Sequence, residues 1–252
     1  MNIRTIVNTR PVSQSQQTCE AFKKRGFNVI DFPCIEIVPP DDIQNCKISL
    51  RAIHTKSVVI FTSQQAVIFA FKLLSNWKLS SKTIIIAVGN KTAQCLEQFT
   101  GVNIFVPEQQ NSQGVIDLLD RLKSIHSISL ITAKNGRNEI QDYAKENNIK
   151  LSQINVYQRK LPSTNLKLDG FNGCMNNKLA TGVLATSATT LDNFKMLISH
   201  AEWLIFQRQL IICASSRIEN HAQSLGCKNT INTESANPRV MAKKLRRYLS
   251  SH

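Results

Sequence analysis

The sequence predicts an α/β fold in which one parallel-sheet unit occurs twice, and three observations carry that prediction. The first is the stretch at 83–96, TIIIAVGNKTAQCL. Ile84, Ile85, Ile86 and Ala87 run without a polar break, as in a parallel strand covered on both faces. Gly89-Asn90 then turns the chain, and Thr92 stands where the next helix should begin. A strand, a glycine turn and a hydroxyl at a helix start leave unpaired backbone N–H groups aimed at one spot, which suits an anion. The second observation is the alternation of such strands with helices along the chain. The third is a repeat. RTIVNT at 4–9 returns as SISLIT at 127–132, and IFTSQQAVIFA at 60–70 returns as LATSATTLDNF at 184–194. Ser63 and Ser187, Gly89 and Cys213, and Thr92 and Ser216 each stand 124 residues apart; Gly101 and Gly226, and Ser112 and Asn237, stand 125 apart. Offsets this steady describe two copies of one unit of about 125 residues.

In chain order, residues 3–8 read as a strand, followed by Thr9-Arg10-Pro11 and a polar helix over 13–25 that stops at Gly26. Residues 27–38, FNVIDFPCIEIV, are extended until Pro39-Pro40 breaks them. A helix over 43–54 leads to a strand at 58–61, and Thr62-Ser63 opens a helix over 65–74. The central strand, turn and helix end at Gly101. A short strand at 103–106 leads through 107–112 into a helix over 113–123. The second copy brings extended stretches at 127–132 and 154–162, then LIICASSR at 210–217 with Ser215 and Ser216 at its turn. Lys243-Lys244-Leu245-Arg246-Arg247 lies on a C-terminal amphipathic helix, a solvated face with cations near the negative end of its dipole.

The 252 residues suffice for two ordinary domains or one large one, and 42% hydrophobic with 19% charged residues describes a globular protein. No apolar run reaches the roughly eighteen residues of a membrane span, and the opening MNIRTIVNTRP has too short an apolar core for a secretory signal. A cytoplasmic protein is expected. Cys19, Cys34, Cys46, Cys95, Cys174, Cys213 and Cys227 are scattered and odd in number, as reduced thiols are. His54, His126, His200, His221 and His252 form no metal-ligand spacing. The formal charge of +14, from 31 Lys and Arg against 17 Asp and Glu, favours polyanions: nucleic acid, an anionic membrane, or a ligand rich in carboxylates or phosphates. It is equally met by a merely basic surface.

Thr9, Thr62-Ser63, Thr92, Thr132, Thr186-Ser187 and Ser215-Ser216 all fall at predicted carboxyl-terminal strand ends. Singly, each is a helix N-cap. Together they ring a ligand cleft with hydroxyls and N–H donors, the place where open α/β sheets bind.

These residues resemble the uroporphyrinogen-III synthase family. The likeness runs through Thr9-Arg10-Pro11, FPCIEIVP at 32–39, IFTSQQAV at 60–67, AVGNKTAQCL at 87–96, NSQGVIDLL at 111–119, VYQRKLP at 156–162 and LATSATTLDNF. It covers essentially the whole chain, and its specificity lies in the ordered set rather than in any one piece. The resemblance implies a monomer of two doubly wound domains joined by a two-stranded linker, with the active site in the cleft. The first domain would comprise 1–35 and 164–252, the second 41–153, with 36–40 and 154–163 as linker strands. The implied reaction closes hydroxymethylbilane, which has eight carboxylates, to uroporphyrinogen III with loss of water and inversion of the last pyrrole. It implies no cofactor, no metal, and no nucleic-acid or membrane partner, and it leaves room for transient contact with hydroxymethylbilane synthase.

By position, Tyr157 matches the family's tyrosine. A phenol keeps its proton at neutral pH, so Tyr157 can assist departure of the hydroxyl; as a linker aromatic it could equally be packing. Thr92, Ser63, Ser187, Ser215 and Ser216 would bind substrate carboxylates. Arg10 could pair one bidentately or serve a surface salt bridge, and Lys91 is a second cation of this kind. The family's IGxxTA turn reads ICASSRI in the second copy, so Cys213 is expected to replace its glycine and Arg217 its small residue, reshaping that turn. Two other functions fit parts of the sequence. A two-lobed anion- or nucleic-acid-binding module would use the same charge, but the aromatic set of an RNA-binding sheet is missing. A nucleotide- or flavin-dependent enzyme would need a glycine-rich phosphate loop, which nine glycines do not form here.

Overall fold

The structure is a computed structural model that describes residues 3–53, 58–122, 125–162 and 181–251. His54, Cys174, His252, the predicted helix ends at 54 and 123, and residues 163–180 of the expected linker and first domain lie outside the described residues.

In chain order the first elements are β1 (Thr5–Asn8), α1 (Val12–Lys23) and β2 (Asn28–Asp31). There follow β3 (Glu36–Val38), α2 (Ile43–Arg51), β4 (Val58–Phe61), α3 (Gln64–Leu73), β5 (Ile84–Ala87) and α4 (Asn90–Glu97). Next come β6 (Ile104–Phe105), α5 (Ser112–Arg121), β7 (Ser127–Ala133), α6 (Glu139–Glu146) and β8 (Lys150–Lys160). The chain then adds β9 (Thr181–Ala185), α7 (Ala188–Leu197), α8 (His200–Phe206), β10 (Leu210–Cys213), α9 (Ser216–Ser224), β11 (Asn229–Asn232) and α10 (Pro238–Ser250). These pack as two compact units, Met1–Glu36 with Lys160–His252, and Ile37–Arg159.

The first unit holds a sheet of order β2-β1-β9-β10-β11, parallel throughout. The second holds β3-β8-β7-β4-β5-β6, parallel from β8 to β6. Reading β2 against β8, β1 against β7 and β9 to β11 against β4 to β6 gives the same doubly wound order twice. In each sheet the order reverses beside a central strand, between β1 and β9 and between β7 and β4, which is where such sheets open a crevice.

The unbroken apolar strands follow from burial on both faces. In the second unit Val59, Phe61, Ile85 and Ala87 face one core with α2, α3 and α4, while Val58, Ile60 and Ile86 face another with α5 and α6. Leu50, Ala66, Val67, Ala70, Leu96 and Val115 are the fully buried helix positions that complete these cores. The first unit gathers Phe22, Phe194, Phe206, Met241 and Leu245 around its sheet. Phe194 meets Phe32 and Phe206 edge-on at 5.4 and 5.1 Å between centroids, the arrangement aromatic quadrupoles favour. At Gly182, in the middle of the sheet, a Cβ would stand 3.0 and 3.1 Å from the Ile212 and Ile6 methyls, so glycine is what lets the flanking isoleucines close over β9.

Three expectations need correction. Residues 27–38 are not one extended piece: β2 belongs to the first sheet and β3 to the second. Pro33 interrupts them, since it has no N–H to give a ladder. Thr92 is the third residue of α4, not its start; Asn90 begins the helix and Gly89 caps it. Gly89 has φ −159°, extended backbone that any residue adopts, so the turn never required glycine for its conformation. Ser215, with φ −161°, caps α9 in the same way. Cys213 ends β10 as Ala87 ends β5. The counterpart of Gly89 is therefore Ser215, Cys213 replaces no glycine, and Arg217 stands where Lys91 stands in the other copy.

Away from the strand ends, Tyr143 on α6 donates to Asp120 on α5 at 2.6 Å. Desolvation, with the hydrogen bond and charge of Asp120 behind it, pushes the phenol from 10.0 up to about 12. A raised folded value means the contribution is whole below about pH 10 and disappears as pH climbs through about 12. Because the pair is exposed, Tyr143→Phe should cost only about 1 kcal/mol or less. In urea unfolding that difference from wild type should hold at pH 8 and vanish near pH 12; a constant difference would contradict the assignment.

Candidate active site

Each parallel strand ends where a helix must start, so the first N–H groups of that helix lack carbonyl partners. Along the second unit's sheet, Ser63 meets this need at α3, its Oγ accepting from the Ala66 N–H at 3.1 Å. The same Oγ lies 3.1 Å from the Tyr157 hydroxyl. Tyr157 reaches it because of a bulge: opposite Thr132 and Ala133 of β7, the partners on β8 jump from Asn155 to Tyr157. Regular alternation would send Val156 and Tyr157 to opposite faces, yet both pack in the same core. The extra residue re-aims the tyrosine.

The ring is then fixed on several sides. Only 2% of Tyr157 is exposed, Phe69 stacks on it at 5.6 Å and 28°, and its carbonyl accepts from the Lys134 N–H at 2.9 Å. Arg159, two residues along the strand and exposed, places Nη2 3.5 Å from the phenol oxygen and its guanidinium carbon 5.8 Å from the ring centre. Ser63 is half-buried. The polar end of the phenol therefore sits at the rim of the core, between a hydroxyl and a cation.

One strand over, Asn90, Lys91 and Thr92 form the first turn of α4. The Asn90 N–H donates to Gln110 Oε1 at 3.0 Å, and a Cβ on Gly89 would come within 2.8 Å of that oxygen. A side chain at Gly89 would therefore displace the Gln110 amide from Asn90. Thr92 is nearly buried at 6% exposure, and its hydroxyl has no hydrogen-bond partner among the described residues. Lys91 is exposed and makes no ion pair among them.

In the first unit the hydroxyls divide between structure and solvent. Thr9, fully buried, donates to the Leu184 carbonyl at 2.5 Å and ties β1 to β9. Ser187 accepts from the Thr190 N–H at 3.0 Å and lies 2.6 Å from the Thr190 hydroxyl. Ser215 caps no N–H with its side chain, and Ser216 accepts from Asn232 Nδ2 at 2.9 Å. The helix position that Thr92 holds in α4 is Ile218 in α9, a buried residue without a hydroxyl. Arg10 donates through Nη2 to the Ala236 carbonyl at 2.9 Å, while its Nε is sealed from solvent with no partner. Burial lowers its pKa, and no carboxylate pairs with it among the described residues, so the salt-bridge reading of Arg10 finds no partner there.

The structure thus brings Ser63 and Tyr157 into contact and puts Lys91 and Thr92 on the next turn of the same sheet. Arg10, Ser187, Ser215 and Ser216 share the strand ends of the other. Sequence reasoning missed Phe69, Arg159 and Gln110. Arg159 alone had a signal, since residues i and i+2 of a strand share a face.

Open helix starts and hydroxyls at the strand ends of a doubly wound sheet, with cations that make no ion pair among the described residues, are the setting in which such folds hold anionic ligands. The chain belongs to the family described as uroporphyrinogen-III synthase HemD, whose model matches residues 16–242. A porphyrin biosynthesis protein HemD of Ruminiclostridium josui is 22% identical over 198 residues, 75% of this chain and 38% of that one; this chain therefore spans well under half of that relative's length. A uroporphyrinogen-III synthase of Escherichia coli K12 is 25% identical over 231 residues, 88% of this chain and 92% of that one. Among solved structures, a mutant uroporphyrinogen III synthase of the extremely thermophilic bacterium Thermus thermophilus gives a TM-score of 0.63 at 14% identity, covering 99% of this chain and 100% of that one. The uroporphyrinogen-III synthetase of Helicobacter pylori 26695 gives 0.62 at 16%, with the same coverage. These last two likenesses show the fold.

The two serine caps make opposite predictions. Ser187→Ala should destabilise the protein by about 1 kcal/mol through loss of the cap, whereas Ser215→Ala should stay within about 0.5 kcal/mol of wild type. Urea midpoints of the two variants measure this directly.

Proposed function

We propose that this chain is a lyase that converts hydroxymethylbilane to uroporphyrinogen III. The observation that carries the reading is Tyr157, held at the end of β8 with its hydroxyl on Ser63, in a chain matched to its family over residues 16–242. In the proposed roles Tyr157 assists departure of the substrate hydroxyl. Ser63, Lys91 and Thr92 in the second unit, and Arg10, Ser187, Ser215 and Ser216 in the first, bind substrate carboxylates. The Thr92 and Ser215 hydroxyls, without a hydrogen-bond partner among the described residues, support this division. Ser187, already used as a cap, would contribute its helix start more than its side chain.

Substrate and product differ by one water, so the reaction exchanges no electrons with an outside partner and needs no redox cofactor. We read 36–40 and 154–163 as the linker strands between domains at 1–35 with 164–252 and at 41–153. Gln158 supports this, donating to the Pro39 carbonyl at 3.0 Å and to Asp41 at 2.7 Å, which ties the two stretches side by side. No helix among the described residues is long and apolar enough to cross a membrane. A cytoplasmic monomer, handed its unstable substrate by transient contact with hydroxymethylbilane synthase, completes the proposal.

The test generates hydroxymethylbilane in the presence of the protein, oxidises the products and separates the uroporphyrin isomers. Spontaneous closure gives isomer I, so an excess of isomer III supports the reading, and isomer I alone from folded protein overturns it. Tyr157→Phe should slow formation of isomer III on the order of 10²-fold, the usual worth of a positioned acid. Thr92→Ala and Ser215→Ala should each cost less, since positioning of the substrate is shared among many contacts.

A further inference from the structure

We infer that Arg159 is a positioning residue for the proposed reaction: its guanidinium directs the Tyr157 proton toward substrate and stabilises the phenolate left when that proton departs. The inference rests on the synthase reading and adds to it a group that the sequence did not single out.

Arginine has N–H groups only, so toward Arg159 Nη2, 3.5 Å away, the phenol oxygen must accept. Ser63 Oγ already accepts the Ala66 N–H. Its own hydrogen can still reach the phenol oxygen at 3.1 Å, a contact in which either hydroxyl could donate. With Arg159 donating and the serine turned to donate as well, the phenol oxygen is the acceptor inside the protein, and its own hydrogen is left for an oxygen outside.

Loss of that hydrogen makes the cation necessary. As the substrate carbon–oxygen bond breaks, its electron pair leaves on oxygen and the phenol proton completes the water. The electron-deficient carbon is stabilised by its pyrrole nitrogen, and Tyr157 becomes a phenolate. Ring closure later releases a proton from the attacked pyrrole carbon, which restores the phenol. In between, a negative charge sits on a side chain only 2% exposed, a costly state without a partner. Arg159 is the cation in place. Its charge lies 5.8 Å from the ring centre, and no carboxylate among the described residues neutralises it. The stacked Phe69 carries Lys72 Nζ 5.9 Å from its own centre, one ring further out. A charge-assisted donor aimed where negative charge develops lowers the barrier rather than tightening binding.

The experiment measures steady-state formation of isomer III by wild type, Arg159→Met, Tyr157→Phe and the double variant. Arg159→Met should lower kcat about tenfold, a value reduced by the exposure of the arginine, with KM within about twofold. Arg159→Lys should recover part of the loss. In the Tyr157→Phe background, Arg159→Met should change nothing further, because the group it acts through is gone. A tenfold loss that persists without the phenol, or a raised KM at unchanged kcat, overturns the inference and makes Arg159 a plain substrate contact. Unchanged kinetics in Arg159→Met overturns it while the synthase reading stands. Isomer I alone from wild type removes both.

Discussion

A parallel strand can only hand its chain back through a helix laid on the sheet, and this constraint fixes where polar groups collect. Each such hand-over puts the start of a helix, with its unpaired N–H groups and positive dipole end, beside the carboxyl end of a strand. The sheets repeat one strand order, so each unit carries a row of such starts on one edge. The apolar strands beneath are closed on both faces and offer no chemistry.

The hydroxyls at the edge are not one population. Thr9 and Thr62 give their hydrogens to carbonyls of the neighbouring strand, Leu184 and Ile131, and so hold the turns in place. Ser187 caps its own helix. Thr92 and Ser215 do neither: among the described residues their hydroxyls have no hydrogen-bond partner. The copies have also diverged: where α4 carries a threonine in its third position, α9 carries a buried isoleucine, while Lys91 and Arg217 keep a cation at the second. Duplication supplied the geometry, and substitution at single positions assigned different tasks to equivalent turns.

The strand and helix pattern was legible because burial on both faces writes itself as an uninterrupted apolar run, as in IIIA at 84–87 and LIIC at 210–213, and because the repeat doubled each signal. Single positions were harder. Aligning Gly89 with Cys213 by a constant offset misplaced the second turn by two residues, since offset arithmetic ignores the length of the preceding helices. Tyr157 was found by resemblance alone. Its contacts with Phe69 and Arg159 were not, because a bulge opposite Thr132 and Ala133 redirects the side chain, and no local pattern in INVYQRKLP records it. Gln110 reaches Asn90 across twenty residues of chain, a contact that only the folded sheet creates.

The thiols show the same separation of core from edge. Burial pushes Cys46 and Cys227 up to about 11 and Cys213 to about 12, and raises Cys34 further. A thiol held protonated is a poor nucleophile, so these residues behave as small apolar side chains despite their number. Tyr157 differs from them in one respect. Its ring is as deeply buried as theirs, but the bulge carries its oxygen out to Ser63 and Arg159, where donors meet it. Burial silences a polar atom when the atom goes in with the side chain; here the ring is anchored in the core and the oxygen is delivered to the edge. That combination makes Tyr157 rigid while its oxygen keeps polar neighbours.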